Sequence, residues 1–188
     1  MVQAKEQNYR ALSYSRSSFS NLLSLCIMKE TFEQLKHLLA GRWAGEGFAT
    51  FPSIEPTAYF EETEFTPDAF KDAIFFVQKT WYQNDTEKNG QTLFWDTGFV
   101  LLLENKIVLH SAQISGRIEQ YELSSSTGQS FTFSSRAILV DEKAYRSQRI
   151  FTITDNQLTY ELNMATHKVD VFQNHLKARL KMVQALFV

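Results

Sequence analysis

The stretch from Phe151 to Met164 constrains the fold more than any other. Phe151 and Ile153 precede the turn pair Asp155-Asn156, and Leu158, Tyr160, Leu162 and Met164 follow it, with apolar side chains at every second position. Only an extended strand repeats with period two; a helix would scatter these side chains around its circumference. Two such runs about a short turn predict an antiparallel hairpin. Further strands are read upstream in Thr57–Phe65, Ala73–Tyr82, the hairpin of Thr92–Leu103 and Lys106–Ile114 about Glu104-Asn105, Arg117–Leu123 and the alternating pair Phe131/Phe133. A last strand is expected over His175–Met182. Roughly ten short strands with no helix between them predict an all-β fold, a closed antiparallel up-and-down β-barrel. Barrels of about eight or more strands can enclose a small-molecule cavity.

A helix is expected only before the strands. Thr31 with Gln34 has capping-box spacing, Phe32, Leu35, Leu38 and Leu39 share one face, and Gly41 ends the segment. This short helix would sit near one mouth of the barrel. Residues 1–27 differ from the rest, being serine-rich and acid-poor and ending in Leu22-Leu23-Ser24-Leu25-Cys26-Ile27. They read either as an unstructured extension or as an organellar targeting-type segment, leaving 28–188 as one barrel domain. The protein is otherwise expected to be cytoplasmic.

Composition excludes several classes. A net charge of −2 gives no electrostatic basis for nucleic-acid binding. A single cysteine, Cys26, excludes an intrachain disulfide framework and a multi-cysteine zinc site. No run reaches the ~20 apolar residues of a spanning helix, so no integral membrane segment is expected. None of the four histidines stands at metal-ligand spacing from another histidine or the cysteine. Trp43 and Trp81 read as core and barrel-end packing. Glu61, Glu62 and Glu64 read as a solvated acidic face.

Several blocks occur in order: Gly41-x-Trp43-x-Gly45-x-Gly47, Phe51-Pro52-Ser53-Ile54, Tyr59-Phe60-Glu61-Glu62-Thr63-Glu64-Phe65 and Val77-Gln78-Lys79-Thr80-Trp81. Asp96-Thr97-Gly98-Phe99, Ala112-Gln113-Ile114-Ser115-Gly116, Met164-Ala165-Thr166 and Asn174-His175-Leu176-Lys177-Ala178 complete them. Together they resemble the nitrobindin family of heme-binding β-barrels, distantly like fatty-acid-binding proteins, over about Phe32 to Met182. The resemblance implies heme b held by His175 as the axial metal ligand, with Ser53 where a family threonine contacts the heme. It also implies nitric oxide or peroxynitrite as reactants, with isomerisation of peroxynitrite to nitrate as the activity. The sequence departs from the family at Phe94, which stands where a distal histidine is usual and cannot donate a hydrogen bond. Heme binding therefore carries over more directly than catalysis, and a non-enzymatic carrier of a fatty acid or other small apolar ligand is the alternative.

Strand phase adds a condition. Simple alternation puts His175 with Lys177, Arg179 and Lys181, facing outward. To face a cavity it must lie before the regular strand or beside a bulge at the barrel mouth. His110 reads as a solvated strand residue, His167 as a loop residue near the mouth, and His37 as part of the helix's polar side.

Overall fold

A computed structural model describes residues 16–52, 54–141 and 144–186. One helix, α1 (Arg16–Leu39), precedes ten strands. These are β1 (Gly41–Ala49), β2 (Thr57–Pro67), β3 (Ala73–Tyr82), β4 (Thr92–Leu103), β5 (Lys106–Gln113), β6 (Ile118–Ser126), β7 (Ser130–Leu139), β8 (Ala144–Thr154), β9 (Gln157–Thr166) and β10 (Val169–Ala185). Each strand pairs antiparallel with its sequence neighbours, and β1 pairs with β10, closing the expected barrel. Closure leaves no edge strand to template aggregation.

The helix is longer than expected. It spans 24 residues and takes up 16–27 of the segment read as an extension; residues 1–15 lie outside the described part. Thr31 is therefore not a cap: it sits inside the helix, and its hydroxyl donates to the Ile27 carbonyl one turn back, at 2.8 Å. Phe32, Leu35 and Leu39 are fully buried on the face turned to the barrel. Trp43 is buried as expected, and its indole N–H donates to the Leu39 carbonyl at 2.8 Å, pinning the helix end to β1. Lys29 also reaches Asp72, in the loop between β2 and β3. This end of the barrel is closed.

Two glycines in β1 permit close approach there. A Cβ on Gly45 would lie 2.1 Å from the Arg179 carbonyl oxygen of β10, and one on Gly47 would lie 2.3 Å from the Tyr59 ring. Neither position can carry a side chain without moving a neighbour. Trp81 differs from expectation: it lies partly buried on the outer surface, its ring 6.2 Å from Phe60.

Candidate functional site

At the end opposite the helix the barrel opens into a cavity of about 760 Å³. That volume lies within the range of small-molecule and cofactor sites. Its walls are largely apolar, with Leu93, Phe94, Leu162, Met164 and Leu176 among them. His175 is part of this lining and is only 4 % exposed.

A bulge turns His175 inward. Asn174 pairs with Asn163 and Leu176 with Leu162, so His175 is an extra residue in β10 with no partner in β9. Both His175 and Leu176 are buried, which regular alternation forbids. The Asn174 side chain spans the irregularity, donating to Asn163 Oδ1 at 3.0 Å and to the Leu176 carbonyl at 3.1 Å. The loop after β1 clamps it from the other side. Thr50 N–H donates to the His175 carbonyl at 2.9 Å, and Thr50 Oγ1 donates to the Asn174 carbonyl at 2.9 Å.

The same loop selects the tautomer. His175 Nδ1 lies 3.2 Å from the Thr50 carbonyl oxygen. A carbonyl only accepts, so Nδ1 carries the proton and the Nε2 lone pair is left for a ligand. The Phe51 ring stacks on the imidazole, 4° from parallel with centroids 5.3 Å apart, and fixes its plane. Hydrogen bonding through the second ring nitrogen is how metal-binding histidines are oriented. Among the described residues no cluster of three or more His, Cys, Asp or Glu could hold a bare ion. Iron at His175 would have to arrive with its own ligands, as porphyrin iron does.

Phe94 lines the cavity from β4, where a second bulge leaves Leu93 without a partner in β3. Its ring offers no hydrogen-bond donor. Ser53 lies outside the described residues, although its neighbours Pro52 and Ile54 line the cavity. The other histidines stand apart: His110 pairs with Phe99 on β4 and points away from the cavity, while His37 and His167 are exposed.

Sequence reading missed a polar core beneath the cavity. Arg149 is 1 % exposed and bonds Asp96 and Ser111 through its two terminal nitrogens, with Glu119 Oε2 also 3.2 Å from Nη2. Burial works against the Arg149 charge, but Asp96 and its other neighbours hold its pKa well above the usual guanidinium value. Glu119 is desolvated too, yet the Arg149 and Arg117 charges hold its pKa below the ordinary carboxylate value. Arg117 and Gln113, both in the cavity wall, also bond Glu119.

Glu61 corrects the expectation of a solvated acidic face. Glu62 is half-buried and Glu64 exposed, but Glu61 is 1 % exposed and points inward. Its Oε1 accepts from Thr63 and Gln78, both at 2.8 Å, and its Oε2 has no partner among the described residues. Burial pushes its pKa up. The parity was legible: Glu61 alternates in step with Tyr59, Thr63 and Phe65, all inward.

Comparison with known proteins shows the family and the fold. Residues 33–182 match the family model of the THAP4-like, heme-binding beta-barrel domain. Peroxynitrite isomerase Rv2717c from Arabidopsis thaliana is 29% identical over 144 residues, 76% of this chain and 83% of that protein. Peroxynitrite isomerase 2 from Mycobacterium ulcerans is 30% identical over 150 residues, 76% of this chain and 89% of its own length. The crystal structure of Rv2717c from M. tuberculosis superposes with a TM-score of 0.66 at 26% identity, covering 80% of this chain and 96% of that one.

Proposed function

Because the chain belongs to the THAP4-like heme-binding β-barrel family, the nitrobindins, we propose that it binds heme b in the open cavity with His175 Nε2 as the axial ligand. The observation that carries this reading is the Nδ1 contact to the Thr50 carbonyl, which leaves a buried imidazole with its metal-binding nitrogen unused. The apolar walls suit a porphyrin face, and Ser53, between two cavity-lining residues, is assigned to its edge. Bound heme would supply an open iron position for nitric oxide or peroxynitrite, and conversion of peroxynitrite to nitrate is the reaction assigned to it. In this reading His175, Thr50 and Phe51 orient the cofactor, while Leu162 and Leu176 exclude water from its face.

Reconstitution with hemin tests the reading. The wild type is expected to give a histidine-ligated Soret band, and His175→Ala to lose at least about tenfold in affinity and shift the spectrum. Identical spectra and affinities would reject the axial assignment. Stopped-flow decay of peroxynitrite then tests turnover: nitrate formation must rise with catalytic amounts of the holoprotein.

A fatty-acid carrier has less support. A buried carboxylate ligand needs an uncommitted cation. Arg149 is already matched by Asp96 and Glu119, and the cavity-lining Arg117 by Glu119 and Asp141.

A further inference from the structure

We propose that Glu119 is a positioning residue: it holds Gln113 with its carbonyl oxygen toward the cavity, so the wall facing His175 accepts hydrogen bonds and favours ligands that carry a proton over bare anions. The ligand preference rests on the heme reading above; the fixed orientation of Gln113 does not.

The barrel order places the two walls. Going round the barrel from β10, β5 is reached in five steps in either direction, through β9 to β6 or through β1, β2, β3 and β4. Gln113, at the end of β5, and His175, in the β10 bulge, both line the cavity, so they face each other across it. Phe94 on the adjacent β4 supplies no polar group. Gln113 and Arg117, with Ser115 in the exposed turn between them, carry the hydrogen-bonding character of this side.

Glu119 decides which end of the Gln113 amide faces in. Gln113 Nε2 donates to Glu119 Oε2 at 2.8 Å. The same oxygen accepts from Tyr121 Oη at 2.6 Å and from Arg149 Nη2 at 3.2 Å. The other carboxylate oxygen accepts from Ser147 and Arg117. A carboxylate between two guanidinium groups is ionised and only accepts. Turning the amide over would set two oxygens against each other at hydrogen-bond distance. The donor end is thus held by Glu119, and Gln113 Oε1 is the end left to the cavity. Arg117 does not offset this acceptor: its terminal nitrogens are taken by Glu119 and by Asp141 at 3.1 Å, and its Nε, unpartnered among the described residues, is buried out of a ligand's reach.

Two probes read the preference in the hemin-loaded full-length protein: azide, an anion, and imidazole, a neutral ligand with an N–H opposite its coordinating nitrogen. Gln113→Met keeps the side chain's length and removes its acceptor. It is expected to tighten azide and weaken imidazole, shifting the ratio of their dissociation constants by about tenfold, one hydrogen bond's worth at each ligand. Glu119→Gln, which frees the amide to turn, is expected to shift the ratio in the same direction. Ratios unchanged within about twofold, while His175→Ala still abolishes the wild-type heme spectrum, would overturn the proposal and leave the heme reading standing. The orientation is also read without heme, from side-chain amide exchange by NMR. The Gln113 NH2 of the wild type is expected to exchange slowly, with two well-separated proton signals. Exchange at the rate of a free glutamine would overturn the proposal whether or not hemin binds and whether or not Glu119→Gln folds.

Discussion

Glu61 and Glu119 lie inside the same barrel, equally hidden from solvent, and meet opposite environments. Glu119 sits between Arg149 and Arg117 and accepts five hydrogen bonds, so its charge is retained and its pKa falls. Glu61 accepts from neutral donors, Thr63 and Gln78, on one oxygen; its second oxygen, Tyr160 Oη and Arg149 Nε all lack partners among the described residues. Its pKa rises because burial outweighs those two bonds together with the nearby Tyr59 hydroxyl and Arg149 charge. Burial alone therefore does not decide protonation; the partners do. The Glu119 side connects through Gln113 and Arg117 to the cavity wall, whereas the Glu61 side surrounds a much smaller void walled by Phe65, Phe76 and Phe151. One carboxylate is held toward its charged form beside the cavity wall, the other is pushed toward its protonated form away from it.

Arg149 is where the contrast breaks most heavily. Arg149→Met would leave Asp96 and Glu119 buried without their shared cation, and breaking a buried pair in this way costs about 3–5 kcal/mol. Urea denaturation at pH 7 should register that loss. A change under about 1 kcal/mol would mean water already reaches Asp96, and the charged side is not dry. The next largest effect is expected at Tyr121, whose phenol donates to Glu119 at 2.6 Å. Tyr121→Phe removes a hydrogen bond to a charged group and should cost about 1.5–3 kcal/mol in the same assay.

Much of the fold was legible in the sequence. The strand read over Thr92–Leu103, one arm of a hairpin about Glu104-Asn105, matches β4 end to end, and Asp155-Asn156 marked the β8–β9 turn. The site was legible only in part. The alternation of Leu176, Ala178 and Leu180 puts His175 outward, and only a bulge reverses it. That bulge depends on Asn174 reaching Asn163 across β9 and on Thr50 more than a hundred residues away. No local pattern encodes those contacts. Arg149 could have been found, since it alternates in phase with Phe151 and Ile153 and is thus a charge at a core position. Its partners Asp96 and Glu119 lie on other strands, so pairing had to await the register.

Glu61→Gln sharpens the comparison through pH. The folded pKa of Glu61 is raised above its unfolded value, so the native state retains a proton that the unfolded chain releases. Its contribution is full below the unfolded value, near 4.3, and is lost as pH rises towards the folded pKa, at up to about 1.4 kcal/mol per pH unit. Glu61→Gln should abolish that decline and be more stable than wild type on the alkaline side. Thermal melts from pH 5 to 9 provide the check; parallel profiles for the two proteins would mean that Glu61 is ionised like Glu119. Glu119 has the opposite sign, its contribution being present above the unfolded value and lost as pH falls through the depressed folded one.

The smallest effect is expected at Tyr160, and it is the sharpest comparison with Tyr121. Both phenols are buried and burial raises both pKa values, so both remain protonated. Tyr121 has a carboxylate to donate to; the Tyr160 hydroxyl has no partner among the described residues. Removing an unsatisfied buried hydroxyl sacrifices no hydrogen bond and relieves its desolvation penalty. Tyr160→Phe should therefore change stability by no more than about 0.5 kcal/mol, or raise it, against the loss at Tyr121→Phe. The void beside Tyr160 measures about 10 Å³, close to the minimum for a single water. If Tyr160→Phe costs as much as Tyr121→Phe, a water occupies that void and satisfies the hydroxyl. The Glu61 side would then be a hydrated polar network, and the contrast between the two carboxylates would reduce to the presence of the arginines.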